Sequence, residues 1–326
     1  MVSRRTATVF GGSGFLGKYV VRKLAEDGYA VRVACRRTDL ANDLRQLGDV
    51  GQVSPFYAPV QNEVDVTTAV RGATVVINLA AILGATSPAA LNATNVEGAA
   101  RVARLAAAAG VKTFVHMSAI GASPSSPAAY GRSRAAGEEE VLKHFPSATI
   151  VRASVLFGPE DHFFNMLGGV ARYTPCVMPV YGAKTKLQPV YVADVAEAIR
   201  RIVAAFAETP ATVSAICELG GPEVLTMREI AERVLAMTGR SKPIFEVPPG
   251  LASLQALVLE RLPGGMLTRD QLRMLTVDNI VPGNLPGFHD LGMAPTAMDL
   301  VVPAYMKRYA VGGEKINDPY QGVEIK

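Results

Sequence analysis

Residues 6–26 decide the fold of this chain: Thr6-Ala-Thr-Val-Phe-Gly-Gly-Ser-Gly-Phe-Leu-Gly-Lys-Tyr-Val-Val-Arg-Lys-Leu-Ala-Glu26. Thr6–Phe10 is a short apolar run rich in strand-forming residues, and glycines follow it at once. From Phe15 to Glu26 the apolar side chains recur at helical spacing, and Gly28 stands where such a helix can end. The stretch therefore predicts a strand, a tight turn and a helix.

Similar units follow along the first half of the chain. Apolar runs predict buried strands at Val31–Cys35, Val75–Leu79, Phe114–Met117 and Thr149–Arg152. Helical patterns lie between them, including Ala89–Ala109 and Ala129–His144. Continuous apolar strands that alternate with helices are typical of a parallel sheet covered on both faces. We predict an α/β protein with a doubly wound, Rossmann-type sheet and a smaller, mostly helical C-terminal domain.

After the predicted strand that ends at Arg152, strands and helices no longer alternate regularly. Val190–Ala204 is predicted to be helical in part, and Thr226-Met-Arg-Glu229 predicts a capping box that begins a helix ending at Gly239. The predicted domains are a Rossmann domain over 1–155 with its sheet completed by parts of 185–222, a smaller helix and loop domain with some strands over 156–311, and a polar tail over 312–326.

Composition narrows the class of protein. The chain has 326 residues, of which 49% are apolar and 19% charged, and its formal net charge is +4. These values exclude a disordered chain, and the small charge without a block of like charges argues against nucleic-acid binding. The longest apolar stretch, Ala73–Ala85, is shorter than the ~20 residues that cross a bilayer. Met1–Arg5 leads directly into the first strand, so we expect no signal or transit peptide and only peripheral contact with a membrane.

No metal site is predicted. Cys35, Cys176 and Cys217 lie far apart in the sequence, and the histidines form no pair at ligand spacing. Three unpaired thiols suit a reducing compartment.

The glycines after the first strand form the most specific motif. They match both G-x-x-G-x-x-G and G-x-G-x-x-G. Between a strand and a helix, such glycines let backbone N–H groups approach a pyrophosphate at the positive end of the helix dipole. A tight turn without a ligand is the alternative. We predict a dinucleotide site at Gly11, Gly12, Ser13, Gly14, Phe15, Leu16 and Gly17.

The next strand end indicates which dinucleotide binds. NAD sites usually place an acidic residue about 20 residues after the motif, where it binds the ribose 2′-hydroxyl. Here Cys35 is followed by Arg36 and Arg37. A guanidinium pairs with a 2′-phosphate, which a carboxylate would repel. We therefore predict NADPH or NADP as the cofactor, although two solvated surface arginines would give the same pattern.

Two further segments are candidates for cofactor contacts. Asp65 and Val66 precede a short helix and offer a carboxylate and an apolar wall to an adenine. Leu79, Ala80 and Ala81 follow a strand and offer small side chains along the cofactor. Contacts in this order are expected where a ligand meets the carboxyl ends of successive strands. Capping and packing are the alternative roles for both segments.

These features resemble the extended or atypical branch of the short-chain dehydrogenase/reductase superfamily. Active members of that superfamily use a Tyr-x-x-x-Lys pair with a Ser or Thr at a strand end, and the tyrosine exchanges a proton while nicotinamide exchanges a hydride. The matching residues are Tyr130, Arg134 and Ser118, with Arg in place of Lys and Ala119 where many relatives carry a second hydroxyl. A guanidinium is wider than an ammonium and would shift the ribose or the tyrosine. The resemblance thus implies an altered relay with Ser118, Tyr130 and Arg134 as vestigial catalytic candidates, all three of which are also candidates for cofactor contacts. The alternative is that Tyr130 and Arg134 simply hold cofactor or pack.

Longer segments resemble the NADPH-containing accessory subunits of respiratory complex I, the NADH:ubiquinone oxidoreductase. These segments are 130–138, 157–165 and 188–195, and the likeness runs from about Val9 to about Val311. The resemblance implies a tightly held nucleotide outside the electron path, in a subunit that secures the peripheral arm beside the membrane arm near the quinone site. Its partners would be other complex I subunits, on the cytoplasmic face of a bacterial plasma membrane or, alternatively, the matrix side of the mitochondrial inner membrane.

An apolar pattern in the C-terminal half is a candidate contact surface. Between Pro249 and Pro263 apolar residues recur at helical spacing, and 266–275 adds a mixed apolar and basic stretch. Neighbouring subunits or lipid headgroups would explain the pattern, and so would ordinary core helices. The apolar residues are Leu251, Leu254, Leu257, Val258 and Leu262.

The sequence leaves functions of different classes open. The first is a non-catalytic, NADP(H)-binding accessory subunit. The second is an active NADP-dependent reductase, dehydrogenase or nucleotide-sugar epimerase with Tyr130 as its acid and base. A module that senses the redox state of its nucleotide is a third.

Overall fold

The computed structural model describes residues 5–83, 87–208, 215–260 and 267–312. The strands are β1 (Thr6–Phe10), β2 (Ala30–Cys35), β3 (Val53–Tyr57), β4 (Val75–Asn78), β5 (Thr113–Ala119), β6 (Thr149–Ala153), β7 (Leu156–Phe157), β8 (Met178–Val180), β9 (Lys186–Leu187), β10 (Val190–Tyr191), β11 (Ile216–Leu219), β12 (Leu225–Thr226) and β13 (Ile244–Glu246). The α-helices are α1 (Phe15–Glu26), α2 (Glu63–Val70), α3 (Pro88–Leu91), α4 (Glu97–Ala108), α5 (Ala129–His144), α6 (Phe163–Tyr173), α7 (Val192–Glu208), α8 (Met227–Met237), α9 (Pro249–Leu259), α10 (Arg269–Met274) and α11 (Met298–Met306). Asn92–Val96 is a π-helical turn, and 3-10 turns lie at Asp39–Leu47 and Lys307–Tyr309.

The chain divides into two compact units. The first comprises Met1–Ala153, Val192–Leu219 and Pro282–Ala294, and the second comprises Ser154–Tyr191, Gly220–Val281 and Pro295–Lys326.

The first unit contains a seven-stranded sheet with the order β11-β6-β5-β4-β1-β2-β3. All of its strand pairs are parallel. The strand order reverses between β1 and β4, and such a switch point leaves a crevice at the carboxyl ends of these strands. The predicted doubly wound fold is confirmed, although β3 is absent from the sequence-based prediction because Pro55 interrupts its apolar run.

Helices cover the sheet through apolar side chains. Val66 of α2, Val102 of α4 and Val141 of α5 share one buried cluster with the strand residues Phe10 and Phe114. Helices α1 and α7 pack against each other and against the strands of the same sheet. The predicted helix Ala89–Ala109 is divided into α3, the π-helical turn and α4.

The second unit combines helices with short strand pairs. Strands β7 and β10 pair in parallel, as do β8 and β13, whereas β9 and β12 are antiparallel. Its core includes Phe164 of α6, Ile230 of α8 and Met306 of α11. The predicted capping box is present at the start of α8, where Thr226 Oγ1 accepts from the Glu229 N–H at 3.2 Å and the Glu229 carboxylate accepts from the Thr226 N–H at 2.7 Å.

A buried carboxylate organises the start of α6 in this unit. Asp161 accepts hydrogen bonds from the backbone N–H groups of Gly158 at 3.0 Å and Phe164 at 2.7 Å, and from the Tyr305 hydroxyl at 2.6 Å. Burial raises the pKa values of both Asp161 and Tyr305.

Helix α9 buries two alanines and exposes three of its large apolar residues. Ala252 and Ala256 are buried, whereas Leu251, Leu254 and Val258 are 43%, 60% and 58% exposed. Leu257 is half-buried, so an ordinary core role does not account for the exposed Leu251, Leu254 and Val258. Leu262, Met266 and residues 313–326 of the predicted tail lie outside the described residues.

Within the described ranges, the structure contains no helix with both the length and the apolar character that spanning a bilayer requires.

Candidate functional site

The loop between β1 and α1 packs too closely for side chains. Gly11 has a φ of +73°, and a Cβ there would lie 3.0 Å from the backbone nitrogen of Ala80. A Cβ on Gly17 would overlap the Gly11 carbonyl oxygen and lie 2.6 Å from the backbone of Gly12. Real Cβ atoms do not make such contacts, so these glycines are needed for the loop to fold against the helix and the neighbouring strand end.

The N-terminus of α1 is left open toward a ligand. Gly14 is its N-cap residue, no side chain caps it, and no acidic residue stands in its first turn. By contrast, the capping box of α8 satisfies the orphan N–H groups at that helix start. An uncapped helix start with bare backbone amides favours a phosphate group.

A cavity of about 230 Å³ lies beside this loop. Among its described lining residues, Arg36 alone carries a charge, and the polar side chains add hydroxyls, an amide and a thiol. The one charge among these residues is positive, which favours an anionic group beside Arg36. The lining residues are Gly11, Ser13, Gly14, Ala34, Cys35, Arg36, Ala58, Pro59, Val60, Gln61, Leu79, Ala80, Ala81, Ile82 and Thr94.

The two predicted arginines have different surroundings. Arg36 is exposed and lines the cavity. Arg37 forms an ion pair with Asp39 at 2.7 Å and does not line the cavity, and the hydrogen bond from Arg37 lowers the pKa of Asp39. Burial raises the pKa of the Cys35 thiol, so this neighbour of Arg36 stays protonated and uncharged.

Two other segments are predicted to contact the cofactor. The structure places one of them in the cavity lining and the other outside it. Leu79, Ala80 and Ala81 line the cavity. Asp65 lies in the first turn of α2, where its N–H donates to the Asn62 side chain at 3.3 Å, and Val66 is buried in the core. The lining segment is instead 58–61, which directly follows β3. Without β3 in the prediction, the carboxyl end of that strand could not be located.

The predicted Ser118 hydroxyl faces the protein interior. It donates to the carboxylate of Glu138 on α5, which is itself held by Arg152 at 2.6 Å. Arg152 also pairs with Glu218 of β11 at 3.3 Å, and hydrogen bonding to Glu138 raises the pKa of Arg152. A hydroxyl whose proton is committed to a buried carboxylate is poorly placed to serve a substrate.

Arg134 is also turned inward. Its side chain is only 2% exposed, and its Nη2 donates to the main-chain carbonyl of Met117 on β5. Its Nε and Nη1 have no hydrogen-bond partner among the described groups. Burial, and then the Arg134 charge, hold the pKa of His116 well below its ordinary value, so His116 is neutral. Tyr130 is half-buried one turn earlier on α5.

Asn95 and Glu138 hold Ile82 and Ser118 in place, and the sequence-based prediction misses both. Asn95, in the π-helical turn, bonds both the N–H and the carbonyl of Ile82 at 3.0 Å and donates to the Ser133 hydroxyl at 3.0 Å. It therefore ties the cavity wall at Ile82 to α5. The π-helical turn itself has no simple signal in the sequence, and the Ser118–Glu138 contact depends on the packing of α5 against β5.

The fold and the site together define a dinucleotide-binding protein of the epimerase and dehydratase type. Residues 7–215 match the NAD dependent epimerase/dehydratase family. A solved UDP-galactose 4-epimerase shares the fold, with a TM-score of 0.65 and 21% identity over 92% of this chain and 97% of that chain.

Relatives with higher sequence identity identify a more specific family. The chain is 33% identical to the mitochondrial NADH dehydrogenase [ubiquinone] 1 alpha subcomplex subunit 9 of Arabidopsis thaliana, covering 96% of this chain and 80% of the relative. It is 32% identical to the mouse (Mus musculus) protein of that name, over 94% of this chain and 81% of the relative. A ceramide reductase of Caulobacter vibrioides is 31% identical over 78% of each chain. The chain belongs to the epimerase/dehydratase family and, within it, to the family of these complex I accessory subunits.

Proposed function

We propose that this chain is a non-catalytic, NADP(H)-binding accessory subunit of respiratory complex I. The single observation that carries the proposal is a glycine loop at an uncapped helix start beside a Tyr-x-x-x-Arg motif whose Arg134 and neighbouring Ser118 are bonded inside the protein. The loop is built from close-packed glycines at an uncapped helix start. The relay has its Ser118 hydroxyl committed to Glu138 and its Arg134 buried under β5.

NADPH is the proposed nucleotide because of the charge at the cavity. Arg36 lines the cavity and is exposed, so it is available to pair with a 2′-phosphate. No described lining residue offers the carboxylate that would bind a free 2′-hydroxyl. The pyrophosphate would lie on the glycine loop, and the small residues 79–81 would line the cofactor.

Bound nucleotide would act by stabilising the folded state of the subunit. A ligand that binds only the folded state stabilises it by RT ln(1 + [L]/Kd), about 4 kcal/mol when free ligand is a thousandfold above Kd. That is a large part of the 5–15 kcal/mol by which domains are usually stable. Nucleotide binding would therefore determine whether the folded subunit persists and joins the assembly.

The partners would be the other subunits of complex I, at the junction of the peripheral and membrane arms near the quinone site. The named relatives support this assignment, and the exposed apolar residues of α9 offer a surface for neighbouring subunits or lipid headgroups. We place the subunit on the cytoplasmic face of a bacterial plasma membrane, with the matrix side of the mitochondrial inner membrane as the alternative.

The test is whether the protein stays associated with complex I after gentle detergent extraction. The wild type is expected to migrate with complex I on a native gel and to release NADPH, read by its absorbance near 340 nm, on denaturation. Gly17→Ala is expected to lose both properties, because the new Cβ distorts the phosphate loop. Gly169→Ala in α6, where nothing lies within 4 Å of the new Cβ, is the matched control and is expected to keep both. A wild type that migrates alone would overturn the proposal.

An active reductase is the second candidate, and the resemblance to a ceramide reductase supports it. Steady turnover of NADPH by the purified chain, abolished by Tyr130→Phe, would establish this function instead.

A further inference from the structure

One wall of the cavity is a short segment that is held in place by side chains outside the cavity lining. Residues 58–63, Ala58-Pro-Val-Gln-Asn-Glu63, connect β3 to α2, and we call them the strap. The first part of the strap, residues 58–61, lines the cavity. Its end is fixed where the Asn62 side chain caps α2 by accepting from the N–H of Val64 at 3.0 Å.

Side chains of the following helical run hold the strap. Arg101 of α4 donates to the main-chain carbonyl of Val60 at 2.8 Å, and Arg104 pairs with Glu63 at 2.9 Å. Gly98 permits a close approach, because a Cβ there would lie 2.7 Å from a methyl group of Val60. The strap is therefore held to α4 at Val60 and at Glu63.

The hydrogen bond between Gln61 and Thr94 lies elsewhere than the contacts of Arg101 and Arg104. Gln61 Nε2 donates to Thr94 Oγ1 in the π-helical turn at 2.9 Å, and both residues line the cavity. The bond is also exposed to solvent. A bond whose two ends line a cavity and which itself meets solvent lies at the mouth of that cavity. Neither Arg101 nor Arg104 lines the cavity.

We propose that the hydrogen bond between Gln61 and Thr94 is a latch that retains the bound dinucleotide. The inference rests on the proposed function, since it concerns the same cavity and takes NADP(H) as its ligand. The latch joins the segment after β3 to the π-helical turn, which are separate walls of the cavity. Breaking it frees the Gln61 side chain, while Arg101 and Arg104 keep the backbone of the strap in place. The latch thus controls the rate at which nucleotide leaves.

The test measures release of NADPH from the full chain. Protein loaded with NADPH is mixed with a large excess of NADP, and the fluorescence of bound NADPH is followed over time. Gln61→Ala and Thr94→Val each remove one partner of the latch and are expected to speed release about five-fold, the effect of one hydrogen bond of ordinary strength. The double variant is expected to release NADPH no faster than either single variant, since the bond is already lost.

Two controls make the result specific. Thr94→Ser keeps the hydroxyl and is expected to release NADPH at the wild-type rate. Arg104→Ala removes a tie between the same strap and the same helical run, away from the cavity, and is expected to leave release unchanged. Circular dichroism melting curves identify any variant that fails to fold, and Thr94→Val against Thr94→Ser is then the deciding pair.

The outcomes separate the latch from the proposed function. Equal release rates for the wild type, Gln61→Ala and Thr94→Val would overturn the latch while NADPH binding stands. An equally large effect of Arg104→Ala would also overturn it, because the strap as a whole would then control release. Latch variants that release NADPH faster, in a chain that does not associate with complex I, would support the latch and refute the proposed function.

Discussion

At the residue scale, we propose that Arg36 selects between NADPH and NADH. It alone among the described lining residues carries a charge. Arg36→Ala is expected to weaken NADPH binding roughly ten- to a hundred-fold, because charge-assisted hydrogen bonds to the 2′-phosphate are lost. NADH lacks that phosphate, so its affinity is expected to stay within about two-fold of the wild type. Isothermal titration calorimetry with both nucleotides measures the difference.

Arg37 provides the matched control for this prediction. It is adjacent and of the same type, but it pairs with Asp39 and lies outside the cavity lining. Arg37→Ala is therefore expected to change NADPH affinity much less than Arg36→Ala. Similar losses from both variants, or equal losses of NADH and NADPH in Arg36→Ala, would contradict the assigned role of Arg36.

The site residues differ in how far the sequence could predict them. The glycine loop is predictable because its geometry depends on neighbours within a few positions, as the overlap between Gly17 and Gly11 illustrates. Ser118 and Arg134 are recognisable as a motif, but their orientation is not, because it follows from the carboxylate of Glu138 and the carbonyl of Met117 on other elements. Sequence identifies such side chains, and packing decides what they do.

At the scale of elements, α1 and α7 are joined by a network of charges. Glu197 of α7 lies 3.7 Å from Lys23 of α1, and it accepts from Arg200 at 2.7 Å and Arg201 at 3.1 Å. Arg200 also reaches Asp27, which follows α1, at 3.3 Å. Hydrogen bonding from Arg200 and then Arg201 lowers the pKa of Glu197 to about 2.

This lowered pKa predicts a pH-dependent contribution to stability. A carboxyl whose pKa is depressed in the folded state stabilises that state above its unfolded pKa of about 4.3, and the contribution is lost as pH falls toward about 2. Glu197→Gln is expected to lower the free energy of unfolding by about 2 kcal/mol at pH 7, after allowance for partial solvent screening. The difference from the wild type is expected to shrink below about pH 4. Urea unfolding at several pH values measures it.

Glu26→Gln is the matched control for the charge network. Glu26 pairs with the same Lys23 at 3.2 Å, but its side chain is 52% exposed. Its replacement is expected to cost less than about 0.5 kcal/mol at any pH. A loss for Glu197→Gln that stays constant from pH 7 to pH 3 would show that the network does not act through the Glu197 charge.

The elements themselves were predictable where their patterns were long and apolar. β1, β2, β4, β5 and β6 follow their hydrophobic runs, and α8 follows its capping box. β3 is an edge strand that contains Pro55. Edge strands tolerate proline and need no continuous apolar run, so local sequence gives them little signal. Because β3 is missing from the prediction, Asp65 and Val66 are named as candidate contacts in place of the cavity-lining segment 58–61.

At the scale of the whole molecule, α9 presents exposed apolar side chains on a helix without charge. The helix contains no charged residue, and Leu251, Leu254 and Val258 are exposed while Ala252 and Ala256 are buried. A surface helix normally turns a polar face to water. The helical spacing of its leucines is visible in the sequence, but the pattern does not tell which side is buried. The exposed side chains favour a surface that a neighbour covers in the assembly.

Replacing the exposed side chains of α9 by serine tests this assignment. The triple variant Leu251→Ser, Leu254→Ser and Val258→Ser is expected to melt close to the wild type, because these side chains are already 43–60% exposed in the chain by itself. It is expected to bind NADPH normally and yet to separate from complex I on a native gel, since apolar area buried against a neighbour contributes about 25 cal/mol per Å². Val50→Ser, which removes a fully exposed apolar side chain from the first unit, is expected to leave association intact. A triple variant that stays with the complex would mean that α9 faces water there and that other surfaces hold the subunit.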